Sequence, residues 1–560
     1  MNLPKYFPIL FIFIFWVLFI YSCAAIQAPS GGPRDETPPE LIESLPKNGT
    51  VFFPGGRVEL VFTEYLAENT ISNAITIMPR MNEDPELIYK GRRVFVEFPN
   101  NLTNDQTYIV SINRTLKDEH GVFLKKGLQV AYSTGSKINN GSIEGTINHK
   151  KPASAQLWKI ISKKDDSLFY QRQPDYVIDA SDKGNYHFQF LSSGDYKLIS
   201  VDQSLSRTVI NPNRTLAGLP WLTLIQLGSD ETLESINMMI PEKSYSKKMN
   251  RAEWITESWF KLFFSENISE VMSLLPLQVF LGDSILSVLD LFLDNEDKTI
   301  VHAVLPESLR RPGLVTFSLN SIFQGDKTIL DSSRVSIRID TTQYKKNVKI
   351  DFPLKSYVHP IDEEIITPLQ ISFSSFMEKS NISAPIELIK DSINVSSKYN
   401  WISPLTLEVT PLANWEPKKN YQLHIDRDNL KPVFGEPFID SLTTLSFKTS
   451  DYIRFGRLLG KVESSLMDGI VLQVKHLKNK FENLYTIVNS DGTFLMNRLP
   501  EGDYSLLFFQ DDDGDNRYSY GSLDPHKPAE WYYVYPDTVL IRGNWDMELK
   551  KIQFNNNLYR

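Results

Sequence analysis

The chain has 560 residues, of which 41% are hydrophobic and 23% charged, and its formal net charge is -9 at pH 7. This length exceeds what one hydrophobic core supports and predicts roughly three to five domains. The acidic balance argues against a nucleic-acid partner, because the chain has no surplus of basic side chains to neutralise phosphates. Aromatic residues at 12% and 32 prolines favour short strands and turns over long helices.

The first segment has the pattern of an export signal. Lys5 is followed by an almost uninterrupted apolar run over 7–20, which is as long as a signal-peptide core and short for a membrane span of roughly 20 residues. The sequence Ile-Tyr-Ser-Cys that ends at Cys23 then resembles a lipobox, in which the cysteine receives a lipid. An uncleaved anchor helix with an incidental cysteine is the alternative. We therefore predict a signal peptide over 1–22 and lipidation of Cys23.

Residues 23–36 are expected to form a lipidated tether, because they are small, rich in Pro and Gly, and without periodicity. Cys23 is the only cysteine, so no intrachain disulfide is expected. In Bacteroidetes-type lipoproteins an early acidic motif accompanies transport to the cell surface. No acidic run directly follows Cys23, which favours the periplasmic face of the outer membrane. Asp35 and Glu36 lie close enough to Cys23 to keep the cell surface as an alternative.

Downstream of the tether, apolar and polar residues alternate in short runs separated by turn residues, as in Val58–Phe62 and Tyr108–Ile112. Such runs about ten residues apart are typical of β-sandwiches. Helical periodicity is scarce. The stretch 268–293 is apolar enough for a helix, but Pro276 and Gly282 cut it into shorter pieces.

Three segments repeat one layout: an alternating strand that ends in Phe-Ser/Thr, a strand closed by a proline turn, and another alternating strand. They predict Ig-like domains over 37–136, 250–341 and 347–450, of which the middle one is divergent. Glu64 and Glu266 occupy matching positions after Phe-Ser/Thr, and we interpret them as strand-edge or loop carboxylates, with a binding role as the alternative.

A second repeat lies between the copies of the first. Residues 184–196 and 492–504 share a glycine, an aromatic residue two positions later, and then Leu-x-x-Gly-Asp-Tyr. The glycines are turn residues, and the tyrosine after Gly-Asp is expected to enter the core. This repeat predicts two small antiparallel sandwiches, over 139–245 and 453–552.

The motifs Gly-Gly-Pro-Arg-Asp (31–35) and Thr-Pro-Pro (37–39), following the lipobox, resemble the bacterial Ig-like lipoproteins of Bacteroidetes, whose first module has the Ig-like fold also named after an S-layer protein. The second repeat resembles the carboxypeptidase regulatory-like or Cna-B-like module, a transthyretin-like sandwich. These resemblances imply an all-β fold of tandem antiparallel β-sandwiches, arranged like beads on a string. The carboxypeptidase name describes fold ancestry and implies no peptidase chemistry.

The sequence offers no recognisable catalytic motif. Its eight histidines form no HExxH or other close metal-binding pair, it has no Gly-x-Ser-x-Gly elbow, and a lipid would occupy its only thiol. We therefore expect a protein that is not an enzyme, that needs no cofactor and that has no small-molecule substrate.

One acidic cluster, Asp-Asp-Asp-Gly-Asp-Asn over 511–516, has the character of a metal loop. Asp511, Asp513 and Asp515 have the one-three-five spacing of calcium ligands. An EF-hand is excluded, because the glycine is at position four and Ser522 stands where a glutamate is required. The alternatives are a structural Ca²⁺ site and a solvated acidic turn.

A row of aromatic residues follows this cluster. Trp531, Tyr533 and Tyr535 could stack on sugar rings if they were exposed. Their alternation also fits a strand that buries one face, and in that case they are core residues.

Asp followed by Ser or Thr and an aliphatic residue recurs and resembles the O-glycosylation site of exported Bacteroidetes proteins. A three-residue pattern also arises easily by chance. The candidate hydroxyl residues are Ser167, Ser284, Ser392, Ser441 and Thr538.

Together these features predict a non-catalytic outer-membrane lipoprotein that acts as a binding or scaffold component of an envelope assembly. Its partners would be the membrane, through the N-terminal lipid, and other envelope proteins. A surface adhesin or glycan-binding lipoprotein is the alternative.

Overall fold

The computed structural model describes part of the chain, and the following account is restricted to that part. It covers residues 35–554 except 82, 163–165, 167, 213–214, 243–246, 257, 269–275, 289, 296, 306–308, 310–311, 325–326, 341–345, 355, 379–385, 427–429, 440–443, 464–468 and 479–482. The predicted signal peptide, Cys23 and the tether up to residue 34 lie outside it. In the described residues, strands dominate and group into five sandwiches, each with its own apolar core.

The first sandwich contains seven strands and one short helix. They are β1 (Leu41–Leu45), β2 (Arg57–Phe62), α1 (Glu68–Ala74), β3 (Ile75–Met78), β4 (Glu86–Lys90), β5 (Arg93–Glu97), β6 (Thr107–Ile112) and β7 (Leu128–Ser133). A sheet in the order β1-β2-β5-β4 faces a sheet in the order β3-β6-β7. The alternation of β2 buries Val58, Leu60 and Phe62 completely, so the period-two pattern places one face in the core.

The third and fourth sandwiches repeat this strand order. The third contains β17 (Met249–Thr256), β18 (Trp259–Phe264), β19 (Leu277–Leu281), β20 (Ser284–Leu286), β21 (Asp290–Leu293), β22 (Ile300–Val304), β23 (Gly313–Leu319), β24 (Ile322–Gln324), β25 (Lys327–Leu330) and β26 (Ser333–Ile339). The fourth contains β27 (Ile350–Phe352), β28 (Val358–Ile361), β29 (Leu369–Phe373), β30 (Ile386–Lys390), β31 (Ile393–Asn394), β32 (Ser397–Ser403), β33 (Thr406–Pro411), β34 (Asn420–Ile425) and β35 (Thr444–Tyr452).

In both, a four-stranded sheet (β17-β18-β22-β21 or β27-β29-β33-β32) faces a second sheet built on β19-β23-β26 or β30-β34-β35. With the first sandwich, this gives three copies of the strand order of a constant-type Ig domain. The apolar stretch that could have formed a helix gives strands β19 to β21 over its described part, with Gly282 at φ +60° in the turn between β19 and β20.

The second and fifth sandwiches share a different topology. The second contains β8 (Gly141–Asn148), β9 (Ala153–Ile160), β10 (Tyr176–Asp179), β11 (Asn185–Leu191), β12 (Gly194–Asp202), β13 (Ala217–Gly218), β14 (Ile225–Leu227), β15 (Thr232–Leu233), β16 (Met238–Met239) and the 3-10 helices Phe169–Gln171 and Gln203–Leu205. The fifth contains β36 (Phe455–Glu463), β37 (Ile470–His476), β38 (Leu484–Ile487), β39 (Thr493–Pro500), β40 (Gly502–Gln510), β41 (Ser522–Leu523), β42 (His526–Lys527), β43 (Tyr532–Val534), β44 (Val539–Ile541), β45 (Asp546–Glu548) and β46 (Ile552–Gln553).

In each copy the first strand, β8 or β36, pairs antiparallel with β11 or β39 and parallel with two short strands near the end of the sandwich. The residues of the second repeat behave as the sequence predicts. Gly184 and Gly492 adopt φ of +82° and +83° in turns, and Tyr196 and Tyr504 are buried in the two cores.

Neighbouring sandwiches make specific contacts. The Arg114 guanidinium donates two hydrogen bonds, of 2.7 and 2.8 Å, to the Asp182 carboxylate between the first and second sandwiches. Trp259 packs on Phe376 between the third and fourth, with ring centroids 4.2 Å apart. The all-β tandem fold is thus confirmed, and the described sandwiches also touch beyond their covalent links.

The contact with the longest sequence separation joins the second and fifth sandwiches. Trp158, Phe169 and Val201 of the second pack with Phe509 and Tyr532 of the fifth in one buried apolar cluster. We call this cluster the inter-repeat core; its other fully buried members are Tyr170, Ile199, Ile210, Leu219, Val471, Tyr518, Leu523 and Ala529. Independent domains arranged like beads on a string would make no such contact. In the structure, the fifth sandwich packs against the second.

Trp158→Ala should disrupt the inter-repeat core. Trp158 is fully buried, and removing so large a side chain typically costs about 3–5 kcal/mol. We expect the variant to show a larger radius of gyration in small-angle X-ray scattering, because the fifth sandwich would separate from the second. Trp545→Ala, at a position 66% exposed, is the matched control and should match wild type. An unchanged radius in Trp158→Ala would contradict this account of the contact.

Candidate functional site

The acidic loop follows β40 and is organised by the carboxylate of Asp511. This carboxylate accepts hydrogen bonds from the backbone N–H groups of Gly514 (2.8 Å), Asp515 (3.2 Å) and Asn516 (2.9 Å). Asp and Asn commonly hold turns in this way. The loop therefore has a defined shape that its own side chains maintain.

The structure groups Asp511 and Asp513 with a residue that the sequence analysis missed, Glu530. One carboxylate oxygen from each of the three lies within 4.8 Å of the others. Asp515 does not belong to this group, and its carboxylate accepts the N–H of Arg517 at 2.7 Å. The candidate calcium ligands that converge are therefore Asp511, Asp513 and Glu530, whose oxygens suit a hard cation.

Glu530 is 4% exposed and is held by two backbone donors, the N–H groups of Asp512 (3.0 Å) and Ser519 (2.7 Å). Burial raises its pKa to about 7, against the effect of these two hydrogen bonds, and the charges of Asp513 and Asp511 add to the rise. The only sequence signal for it was a glutamate inside an otherwise apolar and aromatic stretch. Calcium binding by this loop stays a prediction.

The aromatic row beside Glu530 is half-buried. Trp531 and Tyr533 contact the ring of Phe554, with centroids 4.9 and 5.1 Å away, and pack with Tyr535 against the core of the fifth sandwich. Tyr532 belongs to the inter-repeat core. The geometry therefore matches the alternative of core packing for this row, and sugar stacking stays a prediction.

Three of the candidate O-glycosylation residues lie in the described part of the chain. Ser284, Ser392 and Thr538 are all exposed, and Ser392 lies in the turn between β30 and β31 with φ of +64°. Ser167 and Ser441 lie outside the described residues. The three described hydroxyl groups are thus accessible to a modifying enzyme, and their modification stays a prediction.

A charged group lies beside the inter-repeat core. Lys197 is 3% exposed, and its Nζ donates to the carbonyl of Thr223 (2.6 Å) and pairs with Asp166 (2.9 Å). This Nζ is also 3.5 Å from Nδ1 of His526, whose ring meets Phe169 edge-on. A buried cation of the second sandwich thus faces a histidine of the fifth.

Burial, and then the positive charge of Lys197, lower the pKa of His526 to about 4, while Asp166 opposes this shift. His526 is therefore neutral at pH 7. This matters for the contact, because an imidazolium here would bring a second positive charge next to Lys197.

Comparison with known proteins identifies the first sandwich. Residues 35–134 match the family described as "Bacterial Ig-like domain". No curated protein sequence matches the chain. In the part of the chain that the structure describes, no helix has the length and apolar character required to cross a membrane.

Solved structures show only distant similarity. The N-terminal part of the bacterial S-layer protein SbsC has 10% identity and a TM-score of 0.17, over 37% of this chain and 44% of that one, so this chain spans less than half of it. Part of the alpha-2-macroglobulin of Escherichia coli has 10% identity and a TM-score of 0.15, over 53% and 97%. The major pilin subunit BcpA of Bacillus cereus has 10% identity and a TM-score of 0.14, over 74% and 99%. Scores this low carry no argument about this chain.

Acidification should lower the free energy of unfolding through the protonation of His526. Its folded pKa of about 4 lies below the ordinary 6.5, so the unfolded chain takes up the proton first as the pH falls. The stabilisation by neutral His526 is complete above the unfolded pKa and is lost between pH 6.5 and 4. Between pH 7.5 and 5.0, calorimetry should show wild type losing about 1–2 kcal/mol more stability than His526→Gln.

His424→Gln, in β34 of the fourth sandwich, is the control for this comparison and should follow wild type. Glu530 titrates in the opposite sense, since a raised folded pKa stabilises the protein at low pH, but it is present in all three proteins and cancels. Equal losses in wild type and His526→Gln would refute the role of His526.

Proposed function

We propose that this chain is a non-catalytic lipoprotein, anchored in the outer membrane by a lipid on Cys23, that serves as a binding and scaffold component of an envelope assembly. The observation that carries this proposal is the inter-repeat core, because it holds sandwiches far apart in sequence in one fixed arrangement. The Ig-like family match of residues 35–134 supports an extracellular or envelope-associated protein. The periplasmic face is the side we favour.

A scaffold needs surfaces held at constant positions. Besides the inter-repeat core, contacts at three other junctions link the sandwiches. They are Arg114–Asp182 between the first and second, Trp259–Phe376 between the third and fourth, and Arg498–Asp362 between the fifth and fourth. Side chains locked between neighbouring domains restrict their relative motion, which otherwise is the default for modules in tandem. Partners bound to different sandwiches would then be held at a fixed distance from one another.

Strand β38 is the surface that best suits a protein partner. It lies at the end of the sheet β38-β37-β40-β43, and its Leu484, Tyr485 and Ile487 are 39%, 36% and 61% exposed. An edge strand offers unpaired backbone groups, and apolar side chains on it add area for burial. The alternative of a glycan-binding adhesin has no equivalent support, since its aromatic row packs against Phe554.

Cys23→Ser should release the protein from the membrane without unfolding it. No disulfide depends on Cys23, because the chain has no second cysteine. Cell fractionation should move the variant to the soluble periplasmic fraction, and its circular dichroism melting curve should match wild type. A variant that stays with the membrane would contradict anchoring through Cys23.

Ile487→Lys should weaken binding to the envelope partner that wild type recovers in mild detergent. The substitution places a charge on an apolar edge, and we expect a loss of about tenfold or more in recovery. Leu412→Lys, at a position of the fourth sandwich that is 59% exposed, is the matched control and should bind as wild type does. Equal recovery with both variants would exclude β38 as the docking edge.

A further inference from the structure

Four ionisable side chains converge at the start of the first sandwich, far along the chain from the acidic loop. They are Asp35, Glu64, Asp118 and His120, and one ligand atom from each lies within 4.8 Å of the others. Three are carboxylates and one is an imidazole. Glu64 was expected to be a strand-edge or loop carboxylate, and no sequence spacing connects it with the other three.

The fold brings Asp35 to Glu64 through the backbone of the entry segment. Thr63 donates its N–H to the carbonyl of Glu40, and Glu40 donates its N–H to the Thr63 hydroxyl, both at 2.9 Å. These bonds hold the segment that begins at Asp35 along the end of β2. Asp35 also accepts the N–H of Thr37 at 3.0 Å, which fixes the direction of its carboxylate.

The same loop after β2 receives the turn that carries Asp118 and His120. Leu66 pairs with Asp118 in an isolated bridge, and the N–H of Glu119 donates to the carbonyl of Tyr65 at 3.0 Å. Three segments that are distant in sequence thus meet at one point. The convergence is a property of the folded sandwich and involves no single linear motif.

The side chain of Asp118 points to a missing ligand. It is 1% exposed, and its Oδ1 accepts the N–H of Val122 at 2.8 Å. Its Oδ2 is buried and has no hydrogen-bond partner among the described residues. A buried carboxylate oxygen without a donor is costly, so this atom requires either a cation or a proton next to it.

The neighbouring charges do not supply that partner. No lysine or arginine within the described residues forms an ion pair with Asp35, Glu64 or Asp118. The basic side chain that the described residues place here is His120, whose Nδ1 lies 3.3 Å from Asp35 Oδ2. Three carboxylates thus lie together with a single imidazole at this point of the sandwich.

We propose that Asp35, Glu64, Asp118 and His120 bind one divalent cation of the zinc type. Imidazole nitrogen with carboxylate oxygens is a donor set that Zn²⁺ accepts, whereas Ca²⁺ prefers six to eight oxygens. Zn–N and Zn–O bonds of about 2.0–2.2 Å place two tetrahedral ligands about 3.4 Å apart. The 3.3 Å between His120 Nδ1 and Asp35 Oδ2 is compatible with this separation.

Such a cation would fix the point where the predicted tether enters the first sandwich. Asp35 belongs to the tether range 23–36, whereas Glu64, Asp118 and His120 belong to the body of the sandwich. Bound metal would cross-link the two and set the direction in which the sandwich leaves the membrane anchor. The site is independent of the inter-repeat core and of β38, so it can be tested separately from the proposed function.

The test is a titration of the full-length chain, purified in detergent and stripped with a chelator, with Zn²⁺ alone in competition with a colorimetric zinc indicator. We expect one Zn²⁺ per wild-type chain and at least tenfold weaker binding in Asp118→Asn and Glu64→Gln. Asp513→Asn, in the acidic loop, is the matched control and should keep the wild-type affinity. Hydrogen exchange at the Thr37 amide should slow on adding Zn²⁺ to wild type and to Asp513→Asn, but not to Asp118→Asn or Glu64→Gln.

His120→Ala tests the site even if the substitution of the buried Asp118 prevents folding. The His120 side chain is 67% exposed, so its removal should leave circular dichroism unchanged while weakening Zn²⁺ binding at least tenfold. Ca²⁺ and Mn²⁺ titrations complete the set. The proposal is overturned if wild type binds no Zn²⁺, if Ca²⁺ displaces the bound Zn²⁺ in wild type and Asp513→Asn alike, or if Asp118→Asn and His120→Ala bind as wild type does.

Discussion

Burial of aromatic side chains between the second and fifth sandwiches is the interaction on which the arrangement of this chain depends. The contact closes a segment of some three hundred residues, and a flexible loop of that length costs about 5 kcal/mol of closure entropy. Burying an aromatic side chain contributes about 1.5–3 kcal/mol. Trp158, Phe169, Phe509 and Tyr532 together therefore exceed the entropic cost, and the intervening folded sandwiches reduce that cost further. The contact can hold without a disulfide.

Local pattern explains why so much of the fold was predictable from the sequence. The alternation over Val58–Phe62 decides which side chains of β2 enter the core, and it needs no information from elsewhere in the chain. The Gly-Asp-Tyr turn of the second repeat acts within a few residues, and Tyr196 is buried as its spacing indicates. The stretch over 277–293 was ambiguous because short apolar runs fit helix and strand equally, and the tight turn at Gly282 resolves it as strands.

The candidate sites were less predictable, because each depends on side chains that meet only after folding. Glu530, which precedes β43, joins Asp511, which follows β40, and no spacing rule links the two. Asp118 comes to Glu64 through an isolated bridge between loops. The aromatic run around Tyr532 was predictable only in part. Alternation indicates a core face for Trp531, Tyr533 and Tyr535, but it does not indicate that Tyr532, on the other face, packs against another sandwich.

The inter-repeat core also has a symmetry that follows from strand register. Aligning Gly194-Asp195-Tyr196 with Gly502-Asp503-Tyr504 makes Val201 equivalent to Phe509, and both lie in the core. Val201 pairs with Ala217, and Phe509 pairs with Tyr532, so the partner strands are equivalent too. The two copies therefore meet through the same sheet face, as subunits do in an isologous dimer. Lys197 breaks this symmetry, because the equivalent residue in the fifth sandwich is Ser505. The buried Lys197 pairs with Asp166 and faces a neutral His526, and this favours the pairing of the second sandwich with the fifth over the pairing of two identical copies.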